Sequence, residues 1–449
     1  MMIGRFCALA ALLVSLAACG GGGSGSSSTA APASTASAPA TTTTPPPPPA
    51  LTNFATVVVD AGPAALNTGP DGFIQDNAPF VTVTLCAPGS TTNCQTIDHV
   101  LLDTGSVGLR VLDSVLTPSL LTAMPTQSDA SANPVGECFQ FVDGYVFGSV
   151  RSADFTVGGE AVAGMPLQVI GDTGAFATPP ASCSSGGGTN LNTLQSLGAN
   201  GILGIGSTTT DCGNLCTTAG GSGAAFYYDC PASGCSAIIG RAASASAPFQ
   251  QLPNPVAALA VDNNGTILSL PAAPAGGETS LTGTLFFGIG TQTNNALGSA
   301  TVLATTNSAT GPNGPGLLTV TYNGQALDES FIDSGSSQYT FVDSTIPLCT
   351  DPDFKGFYCP TAPLALSPTI TGASGAQVSA AFTLANGQTL LSTTFSVLPG
   401  LGVNPKAVSM LQSPPSSFDF GLPFFYGRNV YTAIEGRTAG GIAGPYFAF

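Results

Sequence analysis

The 449-residue chain is 43 % hydrophobic, which allows one large or two medium cores and excludes disorder outside an obvious linker. Only 8 Lys and Arg stand against 24 Asp and Glu, a formal net charge of −16, so phosphate backbones would be repelled and nucleic acid is excluded as a partner. Few cations suit an acidic medium, and a plain secreted, Ser/Thr-rich surface explains the composition equally well.

In chain order, residues 1–18 read as a signal peptide: Arg5, an apolar stretch from 6 to 17, and small residues around a cleavage point. The stretch is too short for a comfortable transmembrane helix. Leu16-Ala17-Ala18-Cys19 resembles a bacterial lipoprotein signal, with Cys19 as the lipidated residue; an ordinary secretory signal with an incidental cysteine is the alternative. Gly21 stands where an Asp would retain such a protein at the inner membrane, so the resemblance implies the outer membrane of the cell envelope. Residues 19–50 pass from Gly/Ser-rich to Ala/Ser/Thr-rich to Pro45–Pro49, a lipid-anchored tether that stiffens toward its end.

Of the 12 cysteines, Cys7 lies in the signal and Cys19 is the lipid candidate, which leaves an even set in an exported protein and reads as disulfides. Cys86/Cys94, Cys212/Cys216, Cys230/Cys235 and Cys349/Cys359 read as local rings, with Cys138 and Cys183 remaining; spacing alone does not fix connectivity. A zinc knuckle at Cys212, Cys216, Cys230 and Cys235 is disfavoured by the single His and the oxidising compartment, so no metal and no cofactor is expected.

From residue 51 the chain breaks into short β-type runs separated by Gly, Pro, Asn and Asp: Thr56 to Val59, Phe80 to Leu85, Phe155 to Val157, Leu281 to Phe287, Leu317 to Tyr322, Leu390 to Val397 and Val430 to Ile434. Val256 to Val261 is the one short helical candidate. An all-β architecture follows.

One phrase is written twice. His99-Val100-Leu101-Leu102-Asp103-Thr104-Gly105-Ser106 and Ser330-Phe331-Ile332-Asp333-Ser334-Gly335-Ser336 each run an apolar strand into acid, hydroxyl, glycine, hydroxyl. The context repeats as well. Thr82 to Leu85, a loop and Asp98 precede the first acid; Thr319 to Tyr322, an Asn323-Gly324 turn and Asp328 precede the second. Each half reads as a hairpin whose return strand ends at the acid. The acids are 230 positions apart, so only a folded, two-lobed structure brings them together.

These repeats resemble the pepsin-like aspartic peptidases, in a lipoprotein branch with an altered flap. Asn200 to Gly206 is similar to the strand beside the first signature, Gly283 to Gly290 to the strand at the lobe junction, and Phe420 to Thr432 to the matching element of the second lobe. The resemblance covers roughly residues 55 to 449. It implies a bilobal all-β fold with a central cleft, an N-terminal lobe over 51–300 and a C-terminal lobe over 301–449. It implies Asp103 and Asp333 as a catalytic pair, with Thr104 and Ser334 tying the loops together. Gly105 and Gly335 would turn the backbone toward the carboxylates, and Ser106 and Ser336 would bond their outer oxygens. Two hairpin turns with satisfied acids are the alternative.

The departures are local. The flap stretch Phe139 to Gly148 has Phe141 where the family has Tyr, with Tyr145 as a substitute, and the chain has no Trp. The common Asp after Gly421 is missing. A Cys/Gly-rich insert near 183–247 is foreign to the pattern. His99 is the only imidazole and reads as a half-buried strand residue, which disfavours Ser-His and Cys-His catalysis. The expectation is an extracytoplasmic, membrane-anchored, monomeric aspartic endopeptidase acting on polypeptide. The alternative is an inactive fold of the same kind that binds a protein ligand.

Overall fold

Alternation decides the elements. In Pro79–Cys86, Val81, Val83 and Leu85 are buried while Thr82 is exposed, a two-residue period that fixes which face meets the core. The computed structural model describes residues 53–68, 72–185, 188–213, 216, 226–238, 251–305, 316–408 and 417–449. The signal segment, Cys19 and the tether lie outside the described residues, as do parts of the insert.

The architecture is all-β and two-lobed. Among the described residues the longest helix, Pro118–Ala123, has 6 residues, and none is long and apolar enough to cross a membrane. A 16-stranded sheet carries the first lobe and the junction, and a 7-stranded sheet carries the second lobe. The first-lobe part runs from Val135–Gln140 through Gly144–Val157, Glu160–Ile170, Val107–Leu112, Gly201–Ile205 and Cys94–Asp103 to Pro79–Cys86. At the junction Phe54–Val59 pairs with Leu281–Phe287, followed by Gly265–Leu270, Arg428–Ala433 and Tyr446–Ala448. The last strands of the chain therefore return to the junction.

Both repeated hairpins are present. Pro79–Cys86 pairs with Cys94–Asp103 around the Cys86–Cys94 disulfide. Leu318–Tyr322 pairs with Gln325–Ile332 around Asn323 and Gly324, whose φ values of 49° and 77° suit the tight turn. The other four disulfides are Cys138–Cys183, Cys212–Cys216, Cys230–Cys235 and Cys349–Cys359, as expected. Five such bonds suit an oxidising, extracytoplasmic compartment.

One hydrophobic cluster runs from Val57, Leu85, Phe155 and Leu203 into Val320, Phe341, Phe418 and Phe420. In the second lobe Phe418 stacks between Phe341 at 4.7 Å and Phe420 at 4.5 Å. Aromatic stacking adds to the burial of each ring.

Two expected elements are corrected. Val256 to Val261 forms turns, with the Ala258 N–H bonded to the Asn254 carbonyl at 3.1 Å, because Pro253, Pro255 and Asp262 leave no room for a stable helical nucleus. Within Leu390 to Val397 there is no strand. Asn386 caps a helix over Gly387–Leu391 by accepting from the Thr389 N–H, and Leu390 packs with Leu398 and Leu401.

Candidate active site

Each acid closes a strand whose neighbour is threaded in parallel beside it. Cys94–Asp103 pairs with Gly201–Ile205, placing Asp103 opposite Gly204. Gln325–Ile332 pairs with Asp419–Phe420, and the Asp333 N–H bonds the Phe420 carbonyl at 3.0 Å. The two loops then meet face to face. A Cβ added to Gly105 would lie 2.6 Å from Cγ of Asp333, and one added to Gly335 would lie 2.7 Å from Oδ1 of Asp103. Only glycine allows so close an approach.

The hydrogen bonds repeat in the two halves. Oδ1 of Asp103 accepts from the Gly105 N–H at 2.7 Å and the Ser106 N–H at 3.2 Å, while the Ser106 hydroxyl donates to Oδ2. Oδ1 of Asp333 accepts from the Gly335 N–H at 2.7 Å, and Oδ2 accepts from the Ser336 hydroxyl at 3.0 Å. The neighbouring hydroxyls cross between lobes. The Thr104 N–H donates to Oγ of Ser334 at 3.1 Å, and the Ser334 N–H donates to Oγ1 of Thr104 at 2.9 Å. The Ser334 hydroxyl continues to the Leu102 carbonyl at 2.8 Å and the Thr104 hydroxyl to the Ile332 carbonyl at 3.4 Å. Thr104 is 4 % exposed and Ser334 0 %, so loss of either would strand buried donors.

The carboxyls of Asp103 and Asp333 flank the same glycine: a Cβ added to Gly335 would lie 2.7 Å from Oδ1 of Asp103 and 3.2 Å from Oδ1 of Asp333. Burial pushes Asp333 well above the usual carboxylate range; the charges of Asp103 and Asp419 add to this, and the Gly335 N–H opposes it. A proton is therefore held at Asp333. Asp419 is a third carboxyl, 5 % exposed, which the sequence reading passed over. Its legible signal is an acid inside the apolar run Phe418-Asp419-Phe420.

The stretch expected as a flap forms a hairpin of Val135–Gln140 and Gly144–Val157, closed by the Phe141 N–H on the Gly144 carbonyl at 2.7 Å. Phe141 meets Phe139 in a tilted ring contact, centroids 4.9 Å apart, and packs with Leu112, Val146, Ile170 and Leu191. Tyr145 is buried with Phe147, Phe176, Tyr228 and the Cys138–Cys183 bridge. At the tip, Asp143 is exposed, with protein around its carboxyl on the side that faces the acids. That burial, with the charge of Asp103, raises its carboxyl above the ordinary range, and its own N–H opposes the shift.

What holds the flap is charge. Arg110, fully buried, donates to Oε1 of Glu137 at 2.6 Å and to the Val107 carbonyl at 2.8 Å, lies 3.9 Å from the Phe139 ring centre, and stands 3.7 Å from Asp211. Asp211 accepts from the Tyr227 hydroxyl at 2.8 Å, and that hydroxyl accepts from the Leu252 N–H at 2.7 Å. Burial, then the Glu137 charge, pushes Asp211 well above its ordinary range against the pull of Arg110. Tyr227–Asp229 of the insert pairs with Val135–Gln140, so the described insert widens the flap by a strand. Sequence reading missed this network because its members are 110, 137, 211 and 227, with no local motif.

His99 lies apart from the acids, half-buried, edge-on to Phe80 at 5.1 Å and paired with Asp60 at 3.4 Å and Asp98 at 3.3 Å. Among the described residues no group of three or more His, Cys, Asp or Glu could hold a metal ion.

No curated protein matches the chain. The solved aspartic proteinase from Irpex lacteus is similar to it, with 14 % sequence identity and a TM-score of 0.48 over 88 % of this chain and 96 % of that one. A family model described as "Protein of unknown function (DUF3443)" matches residues 49–449. The chain belongs to that family.

Proposed function

We propose that this protein is an aspartic endopeptidase that hydrolyses polypeptide with Asp103 and Asp333, acting in the cell envelope from a lipid anchor at Cys19 and the tether of residues 19–50. The observation that carries the catalytic reading is the reciprocal pair of bonds between Thr104 and Ser334, which supports two carboxyls held in register from opposite lobes.

The chemistry needs no metal. A water between the carboxyls gives a proton to the ionised member of the pair as its oxygen attacks the peptide carbonyl carbon. Asp333 donates its proton to the carbonyl oxygen, giving a neutral gem-diol. The C–N bond then breaks as the nitrogen takes the proton from Asp103, and the gem-diol returns one to the pair. The products are a carboxylic acid and an amine, and the pair again holds one proton. A shared proton between two close acids is the arrangement that aspartic proteases exemplify.

A second reading is favoured by the tethered flap. Cys138–Cys183 and the Arg110 network hold it to the lobe, which suits a binding module for a protein ligand as well as a rigid enzyme. The test is incubation of the disulfide-bonded protein with unfolded polypeptide from about pH 3 to 7. Asp103→Asn, Asp333→Asn and a statine-type inhibitor should each abolish cleavage. Cleavage that survives either substitution refutes the mechanism. A folded wild-type protein that cleaves nothing at any pH leaves the binding module.

A further inference from the structure

The internal repeat gives each position near the acids a counterpart in the other half. Opposite Leu101 and Leu102 lie Ile202 and Leu203; opposite Phe331 and Ile332 lie Asp419 and Phe420. Asp419 is therefore the counterpart of Ile202. Ile202 is 3 % exposed and Asp419 5 %, so one half seals the base of the site with a hydrocarbon and the other with a carboxyl. Burying an acid where its counterpart is apolar is costly unless a partner compensates, and Oδ1 of Asp419 has none. Such a break in an otherwise consistent pattern points to function.

We propose that Asp419 is a positioning residue of the Asp103–Asp333 pair, acting on Asp333 through the hydroxyl of Ser336. This rests on the peptidase reading only for its effect on cleavage; the protonation it describes stands by itself.

Ser336 has one hydroxyl hydrogen and two carboxyls within reach. It donates to Oδ2 of Asp333 at 3.0 Å, and it lies close enough to Asp419 to favour that carboxyl's ionised form. While Asp419 is neutral, its own O–H donates to Oγ of Ser336 and the Ser336 hydrogen stays on Asp333. Once Asp419 ionises it has only acceptors, and it draws the Ser336 hydrogen to itself. Asp333 then loses a donor and gains a negative neighbour. Both changes hold its proton more tightly.

Burial, with the charge of Asp103 added and the Ser336 bond opposing, pushes Asp419 up to about 8. Asp419 is therefore neutral in acid and ionises toward mild alkali. The titratable groups facing it are Asp333 on its own lobe and Asp103 from the other. Phe331 alongside and Thr340 across carry no charge. The pair accordingly keeps its proton to a higher pH than two acids alone would.

The test uses the full chain with carbon-13-labelled aspartate carboxyls, beside Asp419→Asn and Asp419→Ile, the latter copying the other half. In both variants the Asp333 titration should move to lower pH by about two units, the scale of one charge about 6 Å away at an effective dielectric near 20. If the protein cleaves polypeptide, the alkaline limb of kcat/KM moves with it. An unmoved Asp333 titration in folded variants overturns the proposal. So does a wild-type Asp419 that titrates in the ordinary carboxylate range, a result that stands even if both variants fail to fold. Absence of cleavage sinks the peptidase reading and leaves the titration to decide this one.

Discussion

Arg110→Met tests what holds the flap. The substitution keeps the length and apolar stem of the side chain and removes the guanidinium. Glu137 loses a 2.6 Å charge-assisted bond, the Val107 carbonyl loses a 2.8 Å donor, and Phe139 loses the cation over its ring. Arg110 and Glu137 are both 0 % exposed, so water cannot replace what is lost. Removing one partner of a buried ion pair is worth about 3–5 kcal/mol, and the apolar replacement returns part of that. A loss of about 3 kcal/mol at neutral pH is expected. The loss should depend on pH with a definite sign. Without Arg110, Glu137 stays folded only when protonated, which raises its folded pKa above the unfolded value. The missing stability is then small below the unfolded pKa and grows as pH rises toward the new folded value. Urea unfolding of the disulfide-intact protein at pH 4 and pH 7, wild type against variant, measures both quantities. A loss below about 1 kcal/mol that is equal at the two pH values refutes the reasoning.

Two further outcomes follow from the geometry. The buried acids Asp76, raised by burial to about 6, Asp211 and Asp333, raised chiefly by burial, and Asp419, raised to about 8, favour the folded state when protonated. Wild-type stability should therefore fall from pH 5 to pH 8, because Asp60 and Asp343, which lie below their ordinary values, are ionised in both states over this range and add no slope; a thermal midpoint that rises over this range contradicts that sum. Gly105→Ala places a methyl 2.6 Å from the Asp333 carboxyl and should separate the acids, abolishing cleavage with the fold retained; unimpaired cleavage would show that the acids do not work in contact.

The duplicated phrase was readable because it is local: a strand, an acid and a glycine occupy adjacent positions, and the chain repeats them. The hairpins and four of the five disulfide pairs came from the same kind of short-range signal, each of those pairs spanning at most ten residues; Cys138–Cys183, 45 apart, came only as what remained. What could not be read was nonlocal. Arg110 with Glu137, Asp211 and Tyr227 is a set of unrelated positions until the insert folds onto the flap. Asp419 was passed over in the sequence, and only the register that puts it opposite Phe331 gives it a place. The misread segment at Leu390 shows the opposite failure: its leucines fit a strand, but Asn386 supplied a helix cap four residues before the expected run began.

The return of Arg428–Ala433 to Gly265–Leu270 has a consequence in time. A ribosome finishes the inner strand more than 150 residues before its partner is made. Until then Gly265–Leu270 has an open edge on that side, and the second acid has no Phe420 carbonyl to receive its N–H. The second acid thus gains its partner strand only after residue 420 has been made, so the site stays chemically unassembled until then.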